Sequence, residues 1–164
     1  IRRFQRYEGV VTGYIHMGGK IAVLAKFDTS AEVAAKPEFK EYAKNVAMQI
    51  AAVAPLYLDK ESVPADVIEH EKKIAYEQAS ASGKPAQVID KMVMGKVSKY
   101  CKEVCLVEQE YVKDNKMSVK QYTDSVAKEL GGSIQIVSYV RFEKGEGLEK
   151  REDNFAEEIA KMVK

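Results

Sequence analysis

Few side chains in this sequence are spaced to do chemistry. Cys101 and Cys105 lie four residues apart on a predicted helix, so they share a face. Together they would offer two ligands to a metal, whereas a structural zinc site requires four. The only histidines, His16 and His70, have no spacing that completes such a set. Two cysteines also make no disulfide framework, and reduced, half-buried thiols fit a reducing compartment. Glu69, Glu71 and Glu77 fall among lysines on a helix with a thin apolar stripe, which reads as a solvated face. Acid–base work would instead need carboxylates with perturbed pKa values in a pocket. Gly18-Gly19 is a weak phosphate signal and a good hairpin turn, because glycine takes positive φ at no steric cost. The sequence contains no P-loop, GxGxxG, GxSxG or HExxH motif. The expectation is a protein that is not an enzyme, with no cofactor and no metal.

The elements that would carry these residues begin with a hairpin over residues 8–28. Ile21, Val23, Ala25 and Phe27 alternate with Lys20, Ala22, Leu24 and Lys26, which gives one core face and one mixed face. His16 and Met17 then sit at the tip. A third strand is predicted over residues 133–142, with Ile134, Ile136, Val140 and Phe142 on one face. The predicted fold is α+β: a three-stranded antiparallel sheet packed on helices, with a long helical stretch between its second and third strands.

That stretch opens with an Ala-rich turn at residues 29–36 and a helix over 38–54. Phe39, Tyr42, Val46 and Ile50 make the inner stripe of this helix, which lies between Pro37 and Pro55. A second helix runs from Pro64 to about Ser82 and a third from about Ala86 to Leu106. Gly83-Lys84-Pro85 separates them, so the pair reads as an antiparallel helical hairpin (coiled coil) projecting from the domain. Gly95 interrupts its second arm, either for close approach of another backbone or as a surface glycine. Residues 108–114 form a connector with two exposed-looking apolar residues, Tyr111 and Val112. Ser118 and Gln121 form a capping box for a fourth helix. Phe155, Ile159 and Met162 make the stripe of a final helix at about 153–163.

With 164 residues, 46% apolar and 31% charged, the chain suits one soluble domain. Its net charge of +1 argues against direct nucleic-acid binding, and the basic-aromatic residues 1–7 read as a surface lead-in. No apolar run is long enough to cross a membrane. The start at Ile1 is read as a fragment or processed product. Projecting apolar tips on a small α+β core point to protein binding, or to a structural dimerisation module.

Several stretches together resemble the elongation factor Ts family, the nucleotide-exchange factors of elongation factor Tu. They are EGVVTGYIHMGGKIAVL, VAMQIAA followed by PLYL, SGKPAQVIDKMVMGKVSKYCKEVCLVEQEYVKD, and VRFEKGEGLEK, in the family's order. The likeness is to the family's carboxy-terminal core, so residues 1–164 are expected to form that domain. The hairpin at about 64–106 is its insertion. The family's amino-terminal domain and its Thr-Asp-Phe segment are not matched: after the second strand this chain reads Phe27-Asp28-Thr29-Ser30-Ala31.

The resemblance implies elongation factor Tu as the partner, GDP release as the process promoted, and docking surface rather than the Asp-Phe wedge as this chain's share. It implies partner contacts at His16, which matches the family's YxH histidine, and at Tyr111 and Val112, where the family has QPFV. Met162 matches a late methionine of the terminal helix. The hairpin would correspond to a dimerisation element, with Val88, Met92 and Val97 as its apolar seam and a homodimer as the product. A bacterial cytoplasm or an organelle interior is the expected location.

Overall fold

In the computed structural model, residues 3–81 and 83–148 are described. Met162 and the terminal helix expected at about 153–163 lie outside them. Strands β1 (Val10–His16), β2 (Ile21–Thr29) and β3 (Ile134–Glu143) form one antiparallel sheet in the order β1-β2-β3. Between β2 and β3 run α1 (Ala31–Ala35), α2 (Pro37–Val53), α3 (Ala65–Ser80) and α4 (Ala86–Val104), then the short strands β4 (Glu110–Tyr111) and β5 (Asp114–Ser118), and α5 (Val119–Leu130). The architecture is the α+β fold expected, with a three-stranded antiparallel sheet. The two-stranded β4–β5 ribbon was not anticipated, because a two-residue strand leaves no periodicity to read.

Local signals set the helix ends. Ser30 caps α1, its Oγ accepting from the Val33 amide at 3.2 Å. Pro37 occupies the first turn of α2, and Ala54 closes that helix in the left-handed region at φ 50°, just before Pro55. The capping box of α5 is complete: Ser118 Oγ accepts from the Gln121 amide and Gln121 Oε1 from the Ser118 amide.

The core lies between the sheet and α2. Ile21, Val23, Ala25 and Phe27 of β2 are buried against Phe39, Tyr42, Ala43, Val46, Ala47 and Ile50 of α2. α5 closes the other flank with Val119, Val126 and Leu130. Aromatic rings run through this core in a chain. Phe27 meets Phe39 edge-on at 5.6 Å, Tyr42 lies 5.4 Å from Tyr122, and Tyr122 stacks on Tyr111 at 4.3 Å and 10°. Such pairs add about 0.5–1.5 kcal/mol each beyond the area they bury.

The β1–β2 turn falls at Gly18-Gly19 as expected: His16 pairs with Ile21, and Met17, Gly18, Gly19 and Lys20 form the loop. Met17, Gly18 and Gly19 all have positive φ, and only the glycines adopt it freely. One reading of the sheet is corrected: Ile134, Ile136, Val140 and Phe142 do not share a face. Lys26 pairs with Ser138 but Phe27 pairs with Ile136, so Val137 is the extra residue of a β-bulge. A shift of one residue exchanges faces. Ile134 and Ile136 therefore face the core, whereas Val140 and Phe142 line up with Leu24 and Ala22 on the opposite face. With Gly13 and exposed Ile15 they make that face apolar, and the Arg3 guanidinium lies 4.7 Å above the Phe142 ring.

The α3–α4 hairpin has its own small core at the root. Val63, Cys101 and Cys105 are buried there, with Val67, Ile68, Val97 and Tyr100 packed around them. Towards the tip, among the described residues only Ala75, Ala79 and Ile89 are buried.

Two glycines behave oppositely when given a Cβ. At Gly132 the added carbon would lie 2.7 Å from buried Val33 Cγ2, whereas at Gly95 nothing lies within 4 Å, so among the described residues Gly95 serves no close approach. Urea unfolding should show Gly132→Ala destabilised by roughly 1–3 kcal/mol and Gly95→Ala stabilised by about 0.5–1 kcal/mol. A Gly132→Ala protein as stable as the parent would contradict the packing of α1 against this turn.

Candidate binding surface

His16 ends β1 beside the four-residue loop and is half-buried. Its Nδ1 lies 3.0 Å from the Tyr14 hydroxyl two residues earlier, on the same side of the strand, with ring centroids 5.8 Å apart. The alternation of a strand brings the two rings together, and the hydroxyl restricts how the imidazole turns. Exposed Ile15 and Met17 flank it. The tip therefore offers one held imidazole, with Met17 next to it in the loop and Ile15 on the opposite face of the strand.

Tyr111 and Val112 part company. The expectation that both are exposed is corrected for Tyr111, which is 5% exposed and stacked on Tyr122, while Val112 is 50% exposed. One residue anchors the ribbon turn and the next projects from it. The stacking partner lies on α5, so the sequence around Tyr111 carries no sign of this burial. Lys113 follows, its Nζ donating to Asn45 Oδ1 at 2.8 Å.

The seam residues of the helical hairpin also differ in placement. Val97 packs into the hairpin root, Met92 is half-buried with Lys84 Nζ near its sulfur, and Val88 is 39% exposed. Met94 and Tyr76 are the more exposed large apolar side chains of the hairpin, and the sequence reading did not single them out. Met94 falls outside the apolar stripe of α4, which is the signal that would have found it.

The cysteines are both buried and free. Burial, then the neighbouring Cys101, push the Cys105 thiol up to about 12. Such a thiol is nearly all protonated at neutral pH and a poor nucleophile. Burial likewise raises the Tyr42, Tyr111 and Tyr139 phenols; Tyr139 Oη donates to the Pro55 and Tyr57 carbonyls, at 2.8 and 3.3 Å. Among the described residues no three His, Cys, Asp or Glu side chains are placed to hold a metal ion. Among them, too, no helix is long and apolar enough to cross a membrane.

Fold and surface together define an α+β module whose distinctive features are projections: a glycine-turned β-hairpin, a helical hairpin and a ribbon turn anchored by a tyrosine stack. The chain belongs to the elongation factor Ts family. The family model described as "Elongation factor TS" matches residues 1–146. Elongation factor Ts of Clostridium perfringens is 49% identical over 165 residues, covering 99% of this chain and 54% of that protein. Those of a Nitratiruptor species and of Magnetococcus marinus are 47% and 45% identical, covering 100% and 99% of this chain and 55% and 54% of their own lengths. The chain thus spans about half the length of the curated relatives it matches.

The raised thiol and phenols make stability pH-dependent. In the unfolded chain Cys105 ionises near its ordinary value of 9.0, but in the folded chain only near 12. The unfolded state then binds fewer protons above that lower value, so this contribution is complete below pH 9 and lost as pH rises towards 12. The three phenols add to the decline above their ordinary value of 10.0. Urea midpoints should be flat from neutrality to about pH 8.5 and fall beyond it. Cys105→Ala should flatten the first part of that fall.

Proposed function

We propose that this chain is the docking half of a guanine-nucleotide exchange factor, and that it binds elongation factor Tu and assists GDP release. In this reading residues 1–164 form the carboxy-terminal core domain, with the helical hairpin at about 64–106 as its insertion. The observation that carries the reading is the match to the elongation factor Ts family over residues 1–146. The surface supports it: half-buried His16 and half-exposed Val112 both stand on rigid supports next to solvent. Tyr111 contributes from below, as the anchor of Val112. Met162 is assigned a contact by the resemblance alone.

No bond is made or broken in this role. A factor that binds the nucleotide-free state better than the GDP-bound state must weaken GDP affinity by the same ratio, because the cycle closes. The chain lacks the family's Thr-Asp-Phe segment, so its part is to bring area and leverage, while disruption of the nucleotide site falls to the segment not matched here. Its place is wherever elongation factor Tu works, in a bacterial cytoplasm or an organelle interior.

A second reading is a dimerisation module acting through the helical hairpin, with Val88 and Met92 at the contact and Val97 supporting them from the root. Exposed Val88, Met94 and Tyr76 favour it. Sedimentation at several concentrations separates the two, since a species that stays monomeric at high concentration excludes self-association as the main role.

The primary test is stopped-flow release of a fluorescent GDP analogue from elongation factor Tu, titrated with this chain while binding is followed in parallel. Binding with little acceleration is expected. Strong acceleration would overturn the division of labour, and no binding would overturn the docking role. His16→Ala should weaken binding about tenfold, near the 1.4 kcal/mol typical of a modest hot spot, with the melting curve unchanged. An unaltered dissociation constant would remove His16 from the contact.

A further inference from the structure

Gln49 is a glutamine in the middle of α2 with no exposed surface. A buried primary amide is unfavourable unless its donors and acceptor are used, and every partner of this one lies about sixty residues away. Its Oε1 accepts from the Val112 amide at 2.9 Å. Its Nε2 donates to the Glu110 carbonyl at 3.1 Å and to Gln109 Oε1 at 3.3 Å. The amide therefore supplies one acceptor and one donor to the peptide groups on either side of Tyr111, as a neighbouring strand would. β4 needs such a neighbour: it is two residues long, and its pairing with β5 is irregular between Glu110 and Tyr111.

The rest of the buried polar inventory points to the same place. Asn45, one turn earlier on α2, accepts from Lys113 Nζ and donates to the Tyr122 hydroxyl at 3.0 Å. Gln109 Nε2 donates to the Glu103 carbonyl at 2.8 Å, tying the bracket to the last turn of α4. Of the buried polar side chains among the described residues, Gln49 and Gln109 form the bracket, Asn45 lies beside it on Lys113 and Tyr122, and Thr123 meets the Tyr42 hydroxyl.

We infer that Gln49 is a positioning residue: its amide serves as a surrogate strand that holds residues 110–112 in one conformation, with Tyr111 turned in and Val112 turned out for docking. A tip already ordered in the free protein loses less entropy on binding than one that must be ordered by its partner. The docking part of this inference rests on the proposed function; the bracket itself does not.

Two measurements on the 164-residue chain test it. In amide hydrogen exchange, Gln49→Met should speed exchange at Val112 tenfold or more relative to Val46 and Ile50, since the Val112 amide loses its acceptor. Asn45→Ala removes buried hydrogen bonds from the same helix face and should leave Val112 protected. Equal responses to the two substitutions, or unchanged protection in Gln49→Met, would overturn the bracket, because a general loosening of α2 would not choose between them.

In binding to nucleotide-free elongation factor Tu, Gln49→Met should lose about tenfold in the parent and under twofold in a Val112→Ala background. The same loss in both backgrounds would overturn positioning as the cause. If Val112→Ala alone leaves affinity unchanged, the docking role of the tip fails, and the exchange result judges the bracket by itself.

Discussion

Helix α2 is the constraint on which the rest depends. Its inner stripe takes the buried face of the sheet, its aromatic residues continue into α5 through Tyr122, and its buried amides reach the ribbon. A helix buried on so much of its circumference cannot shift to suit one neighbour without disturbing the others, because close-packed interiors transmit displacement. Tyr42 illustrates the point: 1% exposed, it touches Phe27, Phe39 and Tyr122, and its hydroxyl lies 2.9 Å from Thr123 Oγ1. The sheet, the α5 flank and the ribbon are thereby held in one frame.

The surface elements differ in how they depend on that frame. The β1–β2 tip is fixed locally, by the pairing of His16 with Ile21 and by the Tyr14 hydroxyl. The ribbon turn is fixed from a distance, through the Tyr111–Tyr122 stack and the hydrogen bonds to α2. Among the described residues the helical hairpin is tied at its root, where the Leu56 and Tyr57 amides donate to the Val104 carbonyl and the Leu106 amide to the Tyr57 carbonyl.

Much of the fold is legible in the sequence where the signal is local and repetitive. The β2 alternation, the α2 stripe and the Ser118 capping box each rest on neighbours within a few residues, and each appears at the expected place. The ribbon is missed for a local reason, a strand too short to show periodicity, while the other failures depend on residues distant in the chain. The bulge at Val137 is set by what β2 offers opposite it, so simple alternation carries Val140 and Phe142 to the wrong face. Tyr111 looks like a surface residue until α5 places Tyr122 beneath it. Gln49 sits inside VAMQIAA as an unremarked polar residue, and only the return of the chain at residues 109–112 accounts for its burial.

By itself, then, the sequence determined the α+β class, the family, the glycine loop beside His16 and the helix pair around Gly83-Lys84-Pro85. Periodicity, caps and turn residues act over a few positions and leave their mark in the order of residue types. Tertiary structure alone decided which of these side chains are exposed. Val112 rather than Tyr111 projects, Val97 is taken by the hairpin root, and the outer sheet face becomes apolar through the shifted register. Exposure is a property of what covers a residue, and here the covering groups arrive from far along the chain.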